Sequence, residues 1–203
     1  MRRNSFSSIE AFLETELRGR DGSVKFRQEQ PIKSFLLNWT KALYGLSYDK
    51  ANSEVIHLTD VGGTDVIFPA LYSNSYPIFC FRSGEGDTRY GIVVGSGTTG
   101  VSLEDYKLAS EISHGTGTGQ LYYYKTDTSY STDADRSYLS VHRTFENKST
   151  SNVTVSEVGL KFVIVGSGAR YYYFLILRDL LDTAVTMAPL DVYTVRYKFT
   201  FLL

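Results

Sequence analysis

Hydrophobic and polar side chains alternate along the end of the chain. The closing segment DVYTVRYKFTFLL places an aromatic or β-branched residue at every second position, at Tyr193, Val195, Tyr197, Phe199 and Phe201. The positions between them carry threonine, arginine or lysine. Because successive side chains of a strand point to opposite faces of the sheet, this pattern predicts a strand with one buried and one exposed face.

Short runs of similar character recur after residue 48, and Gly, Asp, Asn and Ser separate them. They include RYGIVVG, GQLYYYKT, SYLSVHRTFEN and NVTVSEVGLKFVIVG. The run RYYYFLILRD is apolar or aromatic on both faces, which is typical of a strand covered on both sides, and Gly166-Ser167-Gly168 before it suits a hairpin turn. About eight or nine short strands with one helix predict a mainly β protein, an antiparallel, jelly-roll-like β-sandwich.

One amphipathic helix is predicted near the N-terminus. In QPIKSFLLNWTKALYGL the apolar residues recur at three- and four-residue spacing, Pro31 suits a first turn and Gly45 can end the helix. We therefore expect a helix over about residues 31–45. The residues before it are polar and mixed in charge, with a short helical stripe over residues 8–17. They predict a polar N-terminal arm, residues 1–30, followed by a single β-rich domain, residues 31–203.

Composition narrows the classes of function. The chain has 203 residues, 16 of them tyrosine and 12 phenylalanine, and its formal net charge is −1. A nearly neutral chain shows no global sign of a nucleic-acid or membrane-surface protein. No stretch approaches the roughly 18 apolar residues of a membrane span. Cys80 is the only cysteine, so neither an internal disulfide nor a cysteine metal cluster can form.

The glycine-rich segment YGIVVGSGTTG raises the question of a nucleotide site. A strand followed by Gly-x-Gly-x-x-Gly opens many dinucleotide-binding folds, whose next element is a helix that holds the pyrophosphate. Here VSLEDYKLASEISHGTGTG follows Gly100, and the acidic residue expected about 20 positions later is missing. No lysine stands where a phosphate loop requires one. Gly95, Gly97 and Gly100 are therefore predicted to let the chain turn tightly between strands.

No residue pattern indicates catalysis or a bound ion. His57, His114 and His142 share no metal-ligand spacing, and the aspartates of TDTSYSTDADRS lack the spacing of a calcium loop. No nucleophile motif supports a Ser/His/Asp triad. We therefore expect no catalytic residue, no cofactor and no metal. The tyrosine runs 122–124 and 171–173 suit a glycan-binding face, although packing in a core or an interface explains them as well.

Four segments, in this order, resemble a pattern found in structural proteins of tailed bacteriophages and related prophages. They are the helix IKSFLLNWTKALYGL, the turn GIVVGSGTTGVSLEDYKL, the strand VTVSEVGL, and LILRDLL followed by the final strand YTVRYKFTFLL. In the phage pattern a Gly-x-Gly-Thr-Thr turn precedes an Asp and a Leu, and a Glu-x-Gly-Leu strand follows. The stretch 47–89 departs from the pattern, so neck, tail, ring and capsid-attached fibre all stay open.

The resemblance implies a non-enzymatic virion component, made in the host cytoplasm, that contacts copies of itself and other virion proteins. It implies a homo-oligomer of the neck, tail or head–tail junction, such as a ring closed by heterologous contacts, without sequence-specific nucleic-acid binding or membrane binding. The glycine turn and Asp105 would shape a loop between strands. Glu157, Gly159 and Arg178 would fix strand packing or subunit contacts.

Tyr171 and Tyr173 are predicted to have the same packing or contact role, because aromatic side chains are enriched at the centres of interfaces.

Two alternatives to a virion component stay open. A glycan- or receptor-binding β module would use the tyrosine runs and the aspartate-rich loop. A nucleotide-binding enzyme would use residues 95–100. A glycan array would test the first alternative, and a thermal shift with NAD or ATP would test the second.

Overall fold

The computed structural model describes residues 8–46, 56–67, 79–165 and 170–202 of the chain. One helix and ten strands lie in this part. They are β1 (Ser8–Arg18), β2 (Val24–Pro31), α1 (Leu37–Leu46), β3 (His57–Thr59), β4 (Asp65–Ile67), β5 (Gly91–Gly95), β6 (Tyr122–Thr132), β7 (Arg136–Glu146), β8 (Val153–Val165), β9 (Tyr171–Met187) and β10 (Val192–Leu202).

Antiparallel sheets pack against each other and form a sandwich. The larger sheet has the order β2-β1-β10-β7-β6 and the smaller has the order β5-β8-β9, while β3 and β4 form a separate pair. A single apolar core joins the sheets, with Tyr193 and Tyr197 from the larger and Phe162 and Leu177 from the smaller. The prediction of a mainly β, antiparallel sandwich is confirmed.

Strand β10 shows the predicted alternation. Tyr193, Val195 and Tyr197 are fully buried, whereas Arg196 between them is exposed. The burial does not continue to the end of the strand, because Phe201 on the same face is 40% exposed. The larger sheet therefore extends beyond its covered part at the C-terminal end of β10.

The N-terminal residues are strands and not an arm. β1 pairs with β10 over its whole length, from Ser8 with Leu202 to Arg18 with Val192, and β2 pairs with the other edge of β1. Leu13 is fully buried and Leu17 is 5% exposed. The predicted arm over residues 1–30 and the helical stripe over residues 8–17 are thus wrong for the described residues, since this segment completes the sheet on which the core is built.

The helix is shorter than predicted and begins later. Pro31 ends β2, and α1 starts at Leu37. The segment between them is extended, because Ile32 N donates to Ala11 O and Leu36 N donates to Ile176 O, both at 2.9 Å. Pairing with the sheets therefore takes the backbone groups that a helix beginning at residue 31 would use.

Strand β9 is covered on both faces within the chain. Phe174 to Leu177 are buried. On one side an aromatic stack continues from Phe162 through Phe79 to Trp39 of α1, with ring centroids 4.6 Å and 6.1 Å apart. The predicted hairpin turn Gly166-Ser167-Gly168 lies outside the described residues, and Val165 and Tyr171 on either side of it are paired.

Candidate functional site

The residues of the resembling motifs meet in a buried ionic cluster, which we call the Glu157 clamp. Its members are Asp105, Glu157 and Arg178, with the loop residues that they hold. Glu157 lies on β8, in the middle strand of the smaller sheet, and its side chain is fully buried. It stands opposite Gly95 of β5 and opposite Leu180 of β9 in the strand register. The carboxylate therefore emerges beneath the loop that follows β5.

Both oxygens of Glu157 are used by hydrogen bonds. Oε1 accepts from the backbone N–H of Gly97 at 3.1 Å and of Ser110 at 2.7 Å. Oε2 accepts from Ala109 N at 3.1 Å and from Nε of Arg178 at 2.8 Å. These donors come from both ends of the loop and from β9. A buried carboxylate is stable only when it is paired and hydrogen-bonded in this way.

Arg178 extends the clamp to the middle of the loop. Its Nη1 donates to Asp105 Oδ2 at 2.7 Å and its Nη2 donates to Thr99 O at 2.9 Å. The same Asp105 oxygen accepts from Ser102 N at 2.9 Å, which closes the turn around it. Burial opposes the charge of Arg178, but its hydrogen bonds to Asp105 and Glu157 outweigh burial and raise its pKa. The guanidinium is therefore a fixed cation between two carboxylates.

The glycines leave room for Glu157. A Cβ atom built on Gly95 or on Gly97 would collide with Glu157 Oε1, and one on Gly97 would also lie 2.6 Å from the Cβ of Ala109. Neither residue is among the positive-φ glycines, and a Cβ on Gly100 would meet open space. The prediction of a tight turn between strands is wrong, because residues 96–121 form a long loop before β6.

Gly159 has a comparable role in packing. It lies opposite Arg178 in the β8–β9 register. A Cβ at this position would lie 2.8 Å from Leu175 Cδ1 and 2.9 Å from Leu108 Cδ2. Leu108 belongs to the clamped loop and is almost completely buried. The missing side chain lets the loop pack directly on the strand.

Two further buried cations hold neighbouring loop segments. Arg143 of β7 donates to the carbonyl oxygens of Tyr124, Ile92, Asp87 and Gly84, at 2.7, 2.9, 2.8 and 3.2 Å. Burial lowers its pKa to about 10. Lys161 of β8 donates to Glu111 Oε2 at 2.6 Å and to Thr88 O at 3.1 Å. Three strand-borne cations thus fix the loops on either side of β5.

The two tyrosines predicted to share this role lie elsewhere. Tyr171 is 52% exposed at the start of β9. Tyr173 stacks on Tyr90 with a centroid distance of 6.1 Å, and the Arg89 guanidinium lies 5.4 Å from the Tyr173 ring centre. Tyr173 is five residues before Arg178, about 17 Å along an extended strand. These rings therefore do not contribute to the clamp.

The tyrosine run 122–124 is divided between the two faces of the larger sheet. Tyr123 is fully buried, and burial raises its pKa well above the usual range. Tyr122 and Tyr124 lie on the outer face with ring centroids 5.2 Å apart, and Lys148 Nζ lies 3.5 Å from the Tyr122 ring centre. Their hydroxyls donate to Glu85 and Glu146. Only these two rings of the run can contact a ligand.

Sequence reasoning missed Arg143 and Lys161. A signal for Lys161 exists, since a single lysine interrupts the apolar run VGLKFVIV in a strand buried on both faces. A charged residue in such a run must find a partner, because burial of an unpaired charge is costly. Arg143 carries a similar signal, because the alternation in LSVHRTF places it on the same face as Leu139, Val141 and Phe145.

Within residues 8–46, 56–67, 79–165 and 170–202, no group of three His, Cys, Asp or Glu side chains is placed to hold a metal ion. No helix in that part of the chain is long and apolar enough to cross a membrane. Comparison of the chain with protein-family models, with curated proteins and with solved structures finds no match.

Proposed function

We propose that the chain is a non-enzymatic structural protein of a phage virion, acting as a homo-oligomer in the neck, tail or head–tail junction. The observation that carries the proposal is the Glu157 clamp. The residues that resemble the phage pattern are distant in sequence, and they contact one another in one cluster whose charges are satisfied internally. Such an arrangement supports a role in shaping a surface.

The chemistry of the clamp argues against a role in catalysis. A general acid or base must reach a proton on a substrate, and a nucleophile needs an adjacent base. Glu157 is fully buried and its two oxygens accept four hydrogen bonds. Arg178 is 2% exposed, and its N–H groups donate to Glu157, Asp105 and loop carbonyls. The buried charges of the clamp therefore hold the loop in place.

A rigid loop is useful where a surface must match a neighbour. Ordering a loop in advance lowers the entropy that is lost on association. The clamp holds this loop at Gly97, Asp105 and Ser110, and Leu103 in the same loop is 68% exposed. We propose that this loop contacts another virion protein, and that the loops held by Arg143 and Lys161 support it.

The proposal is tested on particles made by the genome that encodes the chain. Mass spectrometry of purified virions should find the protein at a fixed copy number, and antibody labelling should place it at the neck or tail. Particles that lack it after washing would overturn the proposal. Deletion of the coding sequence should yield incomplete particles, and complementation with the Glu157→Gln variant should be weaker than with wild type.

A second candidate function is glycan or receptor binding, and a specific surface favours it. Tyr122, Tyr124 and Lys148 form an aromatic and cationic patch with His114, whose ring centroid lies 4.9 Å from that of Tyr122. Exposed aromatic rings suit the apolar faces of sugars. A glycan array should then give a saturable signal that Tyr122→Ala and Tyr124→Ala abolish. Tyr123 must be left intact, because it is buried.

A further inference from the structure

Part of the outer edge of strand β6 has backbone groups without a partner among the described residues. The bond from Asp133 N to Arg136 O closes the β6–β7 hairpin at 2.9 Å. Because backbone groups of alternate residues point to the same side of an antiparallel strand, this bond fixes the direction of the groups in β6. The N–H and C=O groups of Thr128, Tyr130 and Thr132 point away from β7, towards the edge of the sheet.

The other half of the same edge is already paired. Thr126 N donates to Ser83 O, and Gly86 N donates to Tyr123 O, both at 2.9 Å. Among the described residues no backbone group bonds to the outer edge of residues 128–132. An exposed row of unpaired backbone groups is a template for another strand.

The composition of this free edge offers no protection against pairing. Residues 128–132 read TSYST, without charge, proline or glycine, and the bulge of β6 lies earlier, between Tyr123 and Thr126. The opposite edge of the sheet, β2, is different, because it exposes Lys25, Arg27 and Glu29 and ends in Pro31. Charges and proline are the usual devices that keep an edge unpaired.

An apolar patch adjoins the free edge on the inner face of the sheet. Tyr130 lies opposite Leu139, Leu139 opposite Phe199, and Phe199 opposite Ala11. Tyr130 is 86% exposed, and Ile9 and Phe201, paired with each other beside this row, are 68% and 40% exposed. Exposed apolar side chains beside unpaired backbone groups indicate an interface.

We propose that residues 128–132 of β6 pair in antiparallel orientation with the same residues of a second copy of this chain, around Tyr130. The pairing joins the two larger sheets edge to edge and brings the Tyr130 side chains of the two copies together on one face. A second copy fits because residues 128–132 are uncharged and oppose no like charges within the paired segment, whereas β2 carries exposed charges and ends in proline. The contact is isologous and forms a twofold dimer, and it rests on the self-assembly in the proposed function.

The solution mass across a range of concentrations tests the pairing. Wild type should form a dimer, and Tyr130→Lys should be a monomer because lysine both removes the aromatic contact and protects the edge. Tyr130→Pro should also be a monomer. Its fold should survive, since the lost N–H points to the edge and not to β7. The matched control is Tyr171→Lys, which changes another exposed tyrosine and should leave the dimer intact.

A cross-link identifies the partner directly. In a Cys80→Ser background, Tyr130→Cys should form a disulfide-linked dimer on mild oxidation, because opposed Cα atoms of paired strands lie about 5.5 Å apart. Tyr171→Cys should not. A monomeric wild type, or an oligomer unaffected by both Tyr130 variants and without the cross-link, would overturn this inference. If the oligomer persists in both Tyr130 variants, the protein still self-assembles, but through another surface. The proposed virion function is then tested separately, by the presence of the protein in purified virions.

Discussion

The guanidinium of Arg178 donates from Nε to Oε2 of Glu157 at 2.8 Å, and both side chains are almost completely shielded from solvent. The pair links neighbouring strands of the smaller sheet and, through Asp105 and the backbone of residues 97–110, the loop above them. Removal of one partner from a buried pair leaves the other charge without compensation, and this cost exceeds what the intact pair contributes.

We expect Glu157→Gln to lower the free energy of unfolding by about 3–5 kcal/mol, because Arg178 would keep a buried charge with a weaker partner. Urea denaturation measures the change. The matched control is Asp182→Asn, which breaks a pair with Lys33 at 3.2 Å whose side chains are 58% and 62% exposed. It should change stability by less than about 1 kcal/mol. Equal effects of the two substitutions would contradict the role of the clamp.

We expect Gly97→Ala to destabilise the fold by about 1–3 kcal/mol, because its methyl group would collide with Glu157 and Ala109. Gly100→Ala is the control, since the same atom there meets open space. Thermal unfolding of the two variants should differ clearly, with Gly100→Ala close to wild type. Similar melting temperatures would show that the space beside Glu157 is not limiting.

The raised pKa of the buried Asp179 carboxyl predicts that the free energy of unfolding depends on pH. Burial raises the pKa of Asp179 to about 6, against hydrogen bonds from Lys33 N and Tyr197 Oη that lower it. A free aspartate titrates near about 3.9, so between these values the folded protein keeps a proton that the unfolded chain has lost. The stability that the neutral carboxyl contributes is fully present below about pH 4 and is lost as pH rises through about 6.

Asp179→Asn isolates this contribution because the amide stays neutral. From pH 4 to pH 7 the free energy of unfolding of wild type, relative to the variant, should fall by about 2 kcal/mol. Urea denaturation at a series of pH values gives the difference between the two proteins and cancels the titration of other groups. Parallel curves across this range would show that Asp179 titrates normally.

The left-handed backbone conformation of Leu190 predicts that glycine at this position stabilises the protein. It has φ of 67° in the turn between β9 and β10, a left-handed conformation that costs a leucine about 1–2 kcal/mol. Leu190→Gly keeps the hydrogen bond from the N–H of residue 190 to Asn147 O. The variant should have a free energy of unfolding higher by about 0.5–1 kcal/mol, because the relief of strain exceeds the entropy cost of a more flexible glycine in the unfolded chain. The control Leu103→Gly, without positive φ, should not stabilise the protein.

Part of the clamp could be chosen from the sequence. The resemblance of motifs points to Asp105, Glu157, Gly159 and Arg178, and the structure brings them together, while their role in assembly stays a prediction. Gly95 and Gly97 do not serve the tight turn that the sequence predicts, because they leave space for Glu157. A run of glycines indicates freedom from a side chain, but it does not distinguish a need for positive φ from a need for space beside another residue.

The N-terminal strand shows why local patterns mislead. In SIEAFLETELR, Ile9, Phe12 and Leu13 have helical spacing, while Ala11, Leu13, Thr15 and Leu17 alternate as in a strand. The helical and the strand periodicity therefore both fit the same residues. The choice between them came from β10, which pairs with this segment along its whole length although it lies at the other end of the chain.

The period-two strands, the strand covered on both faces and hence the class of the fold follow from the amino-acid pattern alone, because alternation is a local property of a pleated backbone. The neighbours of each strand, the first residue of the helix and the identity of the buried charges do not follow from that pattern. Those outcomes depend on contacts between distant segments, as when Glu157, Arg178 and the loop after β5 exclude water from one another. The cost of leaving a charge unpaired in that site, and not the local propensity of any one segment, sets their arrangement.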